Sequence, residues 1–361
     1  MRFFRISSLV LVVVAAVASA QNAPAKKKSS PPKVPKPADT VLATFFQTET
    51  PITVTFTVNV NKIRGDKDPD KAPWRDATLT YAADSGTVRI PVKAKTRGIW
   101  RLKNCQFPPI RLNFSSDSTK HTVFHGLDKP KLVNDCRDDD TYEQYVLQEF
   151  QLYRIYRLLT PASHAVRLLR LTWADSASKK PVATRYAFIE EEPFMVAARI
   201  HASQTKITGA GPADIEPNQG VLASVFQYMI GNTDWAVSAL HNVELLQLPN
   251  GDYWPVVYDF DFSGAVNARY ATVDPRLHLR TVRERLYRGY CVNDPSAYTK
   301  AYAVFNAKKD SIYSLYRDPL GKLLKPDIVK ETLEYFDDFY KVINEPRVAK
   351  MNIVDACMGK R

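Results

Sequence analysis

The sequence predicts an α+β protein with two lobes, a β-rich lobe at residues 41–192 and a mainly helical lobe at residues 193–361. In the first range, apolar and polar residues alternate in several short segments, which is the pattern of half-buried strands. In the second range, apolar residues recur at helical spacing, with one hairpin between the helices. About 320 residues follow the N-terminal tail, which is enough chain for one large domain or two lobes.

The start of the chain predicts an export signal. Two arginines precede an apolar stretch at Leu9–Val17, and Ala18 and Ala20 then give the small-residue pattern that signal peptidase cleaves. The stretch is shorter than the roughly 20 apolar residues of a transmembrane helix, although an uncleaved anchor is the alternative. We therefore expect residues 1–20 to be a signal peptide, and the mature protein to be periplasmic or extracellular and not membrane-spanning.

Residues 21–40 are rich in lysine and proline and predict an extended linker. Five of the lysines that contribute to the formal net charge of +12 lie in this segment. A basic tail can bind anionic surfaces, but a solvated linker is the commoner case. Because the sequence has no arginine-rich helix and no motif that combines aromatic and basic residues, we expect no nucleic-acid partner.

The four cysteines are Cys105, Cys136, Cys291 and Cys357. Export makes disulfides chemically permissible, and four cysteines allow three pairings. Pairing each cysteine with its neighbour in sequence would fasten each half of the chain separately. Zinc binding is the alternative, but the sequence contains no C-x-x-C motif and no clustered histidines. We therefore expect disulfides, with their connectivity left open.

The first half of the chain begins with a strand in which Ile52, Val54, Phe56 and Val58 alternate with polar residues. A turn at Asp84–Gly86 then predicts a hairpin. A helix is expected at Tyr142–Leu159. Three aspartates lie just before it, where the helix dipole favours acidic residues. The further strands are predicted at Ala77–Tyr81, Thr87–Val92, Ile110–Phe114, Lys131–Asn134, Ala165–Trp173 and Val182–Ile189.

The second half predicts helices around one hairpin. The hairpin is expected at Val243–Leu248 and Trp254–Phe260, on either side of a Pro-Asn-Gly turn. The helices are predicted at Gly220–Ile230, Arg276–Tyr287, Ala297–Asn306 and Ile328–Ile343.

Two loops beside this hairpin carry the residues best suited to chemistry. Gly231–Trp235 follows a helix and contains Asp234, and Tyr258–Gly264 follows the second strand of the hairpin and contains Asp259 and Asp261. Because Asp259 and Asp261 are two residues apart, their side chains would face the same side of an extended strand. Phosphoryl transfer needs a base that positions the acceptor hydroxyl, an Asn and an Asp for a divalent metal, and a cation for the phosphates. The chain supplies the base, the Asn and the Asp in that order, as Asp234, Asn242 and Asp259.

Four segments resemble the CotH family, the atypical kinases similar to spore coat protein H. The resemblance covers roughly residues 90–265, and the two loops with the aspartates are its most specific parts. The matching segments are Arg97–Trp100 together with Phe107–Phe114, Tyr186–Glu191, Gly231–Trp235 and Tyr258–Phe262.

The resemblance implies a two-lobed protein-kinase-like fold and an exported kinase. Such a kinase would transfer phosphate from ATP or another nucleotide, bound with Mg²⁺ or Mn²⁺, to a hydroxyl acceptor, for which a protein is expected. Asp234 would be the catalytic acid-base residue. Asn242 and Asp259 would be metal ligands, and Asp261 would assist them or bind a second ion.

The resemblance also implies the residues that hold the nucleotide. Glu149, in the middle of the predicted helix, would pair with the cation that binds phosphate. Glu191 lies in the acidic connector, whose backbone would meet the nucleotide base. The phosphate-binding cation is left open between Arg97, Arg111 and Lys131. A glycine-rich nucleotide loop is nearly missing, since Gly98 stands alone.

Each of these residues also has a purely structural interpretation. Asp234 could cap its own loop, and Asp259 and Asp261 could be solvated on a hairpin edge. His241 is better explained as the partner of a nearby carboxylate than as a catalyst, and the run Glu190–Glu192 could form a solvated face. The rival functions are a catalytically inactive kinase-like binding module in the cell envelope and a carbohydrate-active enzyme with a pair of carboxylates.

Overall fold

In the computed structural model, which describes residues 42–359, seven strands form a closed mixed barrel. The strands follow one another around it in the order β1-β2-β3-β4-β5-β7-β6. The first and last of these pair in parallel, from Ile52 opposite Leu169 to Val58 opposite Asp175, and the other neighbours are antiparallel. The strands are β1 Ile52–Val58, β2 Arg75–Ala83, β3 Gly86–Thr96, β4 Ile110–Phe114, β5 Lys131–Val133, β6 Val166–Asp175 and β7 Pro181–Glu190.

The predicted two-lobed protein-kinase-like fold, with a β-rich N-lobe and a mainly helical C-lobe, is therefore wrong. The described chain instead combines the closed barrel with a three-stranded sheet and nine α-helices. Alternation of apolar and polar residues predicts where strands lie, but not which strand edges meet. The parallel pairing of β1 with β6 satisfies the backbone groups of both edges and closes the barrel. The signal peptide and linker predicted at residues 1–40 lie outside the described residues.

The other main elements of the described chain are a small sheet and nine α-helices. The small sheet has the order β10-β9-β8, with β8 at Ser203–Thr205, β9 at Val243–Gln247 and β10 at Tyr253–Val257. The helices are α1 Val60–Gly65, α2 Trp100–Asn104, α3 Ser116–Thr119, α4 Asp140–Leu159, α5 Pro193–Arg199, α6 Pro217–Ile230, α7 Ser296–Ser314, α8 Pro326–Asn344 and α9 Pro346–Ala349.

One predicted helix, at Arg276–Tyr287, does not form. Its place is taken by a short 3₁₀ turn at Pro275–Leu277 and an irregular segment. Arg283 donates a hydrogen bond to the backbone carbonyl of Gly264 (2.9 Å), and its guanidinium lies 4.1 Å from the centre of the Tyr335 ring. Because this arginine contacts distant parts of the chain, tertiary contacts override the local helical spacing.

Helix α4 is the element that positions the site. Asp139 caps it by accepting a hydrogen bond from the Thr141 N–H (2.8 Å). Two acidic residues in the first turn stabilise the helix by interacting with its dipole. The helix is buried on nearly every side, and its aromatic residues belong to a core shared by strands β5–β7 and helices α6–α8. A helix buried in this way holds its polar side chains, including Glu149 and Tyr153, in fixed positions.

Each disulfide connects two consecutive cysteines of the sequence. Cys105 pairs with Cys136, and Cys291 pairs with Cys357. The expectation of disulfides is therefore confirmed, and their presence is compatible with an oxidising, exported location. Between residues 42 and 359, none of the helices combines the length and the apolar character needed to span a bilayer.

Removal of the Cys291–Cys357 bridge should destabilise the protein. The bridge spans 66 residues, and closing a loop of that length in the unfolded chain contributes about 4 kcal/mol. We expect Cys291→Ala with Cys357→Ala to lower the free energy of unfolding by about that amount, as measured by urea unfolding without reductant. A double variant within about 1 kcal/mol of the parent would contradict this expectation.

Candidate functional site

The predicted catalytic and metal-binding residues border one open cleft. Asp234, Asn242, Asp259 and Asp261 all border it. The opposite wall is the connection between β3 and β4, including Arg97 and helix α2. The tertiary structure thus brings together two loops of the small hairpin and one connection of the barrel.

The first loop begins where α6 ends. Gly231 adopts a left-handed conformation (φ 65°), and a Cβ atom at this position would collide with the Tyr335 hydroxyl. The residue must therefore be glycine, for both backbone and steric reasons. Asn232 follows, and its side-chain oxygen accepts the N–H of Asp234 (3.0 Å), so the turn fixes the aspartate.

Asp234 makes hydrogen bonds through both carboxylate oxygens. His241 Nε2 lies 2.8 Å from Asp234 Oδ1, and Asn242 Nδ2 donates to Asp234 Oδ2 (3.1 Å). The carboxylate is still 43% exposed. The prediction that His241 pairs with a nearby carboxylate is confirmed. Asp234 is thus oriented by two neighbours while it remains open to the cleft.

Asn242 is placed so that its oxygen is the available ligand atom. The residue has a left-handed backbone (φ 52°), and its Nδ2 group donates to the backbone oxygen of Asp234 (2.7 Å) as well as to the carboxylate. Both amide hydrogens are thereby directed at Asp234. The side-chain carbonyl oxygen is left for a cation or a water molecule.

The second loop is tied to α4. The Asp259 N–H donates to the Tyr153 hydroxyl (2.9 Å), and the Phe260 N–H donates to Glu149 Oε1 (3.3 Å). Asp259 has a positive φ of 61° and lies beyond the end of β10, so the expectation that Asp259 and Asp261 share a face of an extended strand is wrong. The positions of Asp259 and Asp261 are therefore set by the hydrogen bonds to helix α4, and not by the regular geometry of strand β10.

Asp259 and Asp261 lie in different environments. Asp259 is half-buried, whereas Asp261 is only 4% exposed and accepts a hydrogen bond from the Tyr270 hydroxyl (3.1 Å). Burial and the neighbouring Asp259 carboxylate raise the pKa of Asp261 to about 7. Burial, Asp261 and Asp259 together raise the pKa of Glu149 well above its usual value. Glu149, Asp259 and Asp261 thus form a cluster with an excess of acidic groups, and such an excess favours binding of a cation.

Arg101 is the cation that the sequence analysis missed. It lies on α2, and its Nη1 atom is 3.9 Å from Asp261 Oδ2. Its Nη2 atom donates to the backbone oxygen of Asn134. The only sequence signal was its position directly after the Arg97–Trp100 segment, because the contact with Asp261 joins parts of the chain that are far apart in sequence.

The three cations considered from the sequence lie elsewhere around the site. Arg97 borders the same cleft as the aspartates. Lys131 forms an ion pair with Glu190 (2.9 Å), and its ammonium lies 3.7 Å from the centre of the Tyr258 ring. Arg111 is exposed and borders a second cleft beside Lys131. Glu149, which is buried, is within electrostatic reach of Arg101.

The acidic connector is buried, so its interpretation as a solvated face is wrong. The Glu191 carboxylate accepts two hydrogen bonds from Arg199 (2.8 and 3.0 Å) and one from the Ala165 N–H (2.9 Å). Its backbone oxygen lies 2.7 Å from His164 Nδ1, and its N–H donates to the backbone oxygen of Ala165 (2.8 Å). Although Glu191 borders the second cleft, its backbone groups already have partners within the protein.

The cleft contains oxygen donors of the kind that Mg²⁺ and Mn²⁺ prefer. Within residues 42–359, no three His, Cys, Asp or Glu side chains are grouped so that they could enclose a metal by themselves. Mg²⁺ in phosphate-binding sites, however, is commonly held by one or two carboxylates, with water and phosphate oxygens completing its coordination. Asp259, Asp261 and the Asn242 oxygen are donors of this kind.

Comparison with protein-family models, with curated proteins and with solved structures finds no match.

Asp135, which lies beside the disulfide near Arg101, should make stability depend on pH. Burial raises its pKa to about 7, whereas an unfolded aspartate titrates near 4. The folded state therefore holds a proton that the unfolded state has lost, and stability should fall as pH rises from about 4 to about 7, by up to about 4 kcal/mol.

We expect Asp135→Asn to remove the part of the pH dependence that Asp135 contributes. Urea unfolding at about pH 5 and about pH 8 should show a smaller loss of stability for this variant than for the parent. Asp84→Asn, in an exposed turn, is the matched control and should behave like the parent. An equal pH dependence in all three proteins would contradict the prediction.

Proposed function

We propose that the chain is an exported, metal-dependent phosphotransferase, with site loops like those of CotH kinases, acting in the periplasm or outside the cell. It transfers phosphate from ATP or another nucleotide to a hydroxyl group, with a protein as the expected acceptor. The observation that carries the proposal is the meeting of Asp234, Asn242, Asp259 and Asp261 in one cleft.

Asp234 is the residue suited to receive the acceptor proton. Its carboxylate is held by His241 and Asn242 but remains open to the cleft. In the transfer step, the acceptor oxygen forms a bond to the terminal phosphorus, and the bond from that phosphorus to the leaving nucleotide oxygen breaks. The acceptor proton passes to Asp234.

Asp259 and Asn242 would supply oxygen ligands in the same cleft, and Asp261 also borders it. A bound Mg²⁺ or Mn²⁺ would offset the charge that develops between the phosphates. The hydrogen bonds of Tyr153 and Glu149 to the loop backbone keep Asp259 in place. Arg97, on the barrel side of the cleft, can donate hydrogen bonds to phosphate oxygens.

The proposal predicts that two substitutions have different effects. Asp259→Asn should weaken manganese-dependent nucleotide binding by about tenfold or more, because it removes a charged ligand. Asp234→Asn should leave nucleotide binding nearly unchanged but lower phosphate transfer by about 100-fold or more, because it removes the base. Binding of a fluorescent ATP analogue and transfer of labelled phosphate to the chain itself or to added protein measure the two effects.

Asp252→Asn is the matched control, since Asp252 lies in the exposed turn of the same hairpin. It should behave like the parent in both measurements. Failure of the parent to bind any nucleotide with Mn²⁺ would refute the proposed function. Binding without transfer, unaffected by Asp234→Asn, would instead favour a catalytically inactive binding module.

A further inference from the structure

Arg101 is held firmly on a helix of only five residues. Helix α2 ends at Asn104, and the next residue, Cys105, is joined by its disulfide with Cys136 to the segment after β5. At its start, the Trp100 ring packs against Tyr270, with 5.2 Å between ring centres. The hydrogen bond from Arg101 to the Asn134 carbonyl adds a third attachment. The guanidinium therefore has little freedom to leave the cleft.

The guanidinium faces carboxylates that are buried. Asp261 is 3.9 Å from Arg101, and Glu149 and Asp259 are also within its electrostatic reach. Glu149 and Asp261 are only 2% and 4% exposed. A buried carboxylate stays ionised where a nearby positive charge stabilises it, and otherwise takes up a proton. Lys131 is paired with Glu190, and Arg101 is the cation that forms an ion pair with Asp261.

Arg101 and a metal ion would compete for Asp261. Oδ2 of this carboxylate accepts the Tyr270 hydroxyl and is also the atom nearest to the guanidinium. A divalent ion bound there would lie within a few ångströms of a fixed positive charge, in a site with little water to screen the repulsion. Asp259 is half-buried and borders the cleft, so it is the carboxylate that can receive an ion more easily.

We infer that Arg101 takes the place of a second metal ion at Asp261, so that the site binds one divalent ion, at Asp259 and Asn242. Arg101 is then a positioning residue that holds Asp261 and sets the number of ions. This inference rests on the proposed function, because it concerns the metal of that site.

The test is a count of bound manganese ions. Titration of the mature, disulfide-bonded protein with MnCl₂, with and without a non-hydrolysable ATP analogue, can be followed by electron paramagnetic resonance of the free ion. We expect one bound ion in the parent and two in Arg101→Gln, where Asp261 loses its counter-charge. Arg101→Lys should retain one ion, and so should the double variant Arg101→Gln with Asp261→Asn.

Two further variants keep the test decisive if Arg101→Gln does not fold. Asp261→Asn removes the carboxylate that a second ion would need and should still bind one ion. Lys103→Gln, which removes an exposed cation from the same helix, is the matched control and should bind one ion.

The outcomes separate this inference from the proposed function. A parent protein that binds no Mn²⁺, even with the nucleotide analogue, would contradict the proposed function itself. A parent that binds two ions, an Arg101→Gln variant that binds one, or an Asp261→Asn variant that binds none would overturn the role of Arg101 alone.

Discussion

The loop that carries Asp259 has no regular structure of its own and depends on two hydrogen bonds to helix α4. Its backbone N–H groups at Asp259 and Phe260 donate to Tyr153 and Glu149, respectively. Since α4 is packed between the barrel and the helices of the second half, its position is set by the hydrophobic core. The geometry of the cleft is therefore a consequence of core packing, transmitted through two polar side chains of a buried helix.

Burial of these polar groups has an electrostatic cost that the rest of the site offsets. Glu149 and Asp261 lie where water cannot stabilise their charges, and Asp259 adds to the repulsion. The guanidinium of Arg101 opposes it from the barrel side. The Cys105–Cys136 bridge fastens the short helix that carries this arginine. The Cys105–Cys136 disulfide thus helps to hold Arg101 as the positive charge opposite Asp261, in a cleft whose acidic residues come mainly from the second half of the chain.

Several groups that a nucleotide would need are already engaged within the protein. Lys131 is paired with Glu190, and the backbone and carboxylate of Glu191 have partners in the surrounding structure. A nucleotide would therefore be held chiefly through its phosphates and metal. The proposed export adds a second constraint, because free ATP is scarce outside the cytosol. An exported phosphotransferase needs a nucleotide that is supplied there, or a donor other than ATP.

The sequence by itself located most strands, the long helix α4 and the loops with Asp234 and Asp259, because these depend on local periodicity and on turn residues such as Gly231. It also favoured disulfides, because the predicted export signal and the lack of zinc-binding motifs are features of the sequence alone. Only the tertiary structure decided that β1 pairs with β6, that Cys105 pairs with Cys136, that the segment at 276–287 is not helical, and that Arg101 faces Asp261. Each of these depends on contacts between residues that are distant in sequence, and local patterns carry no information about which distant partners meet.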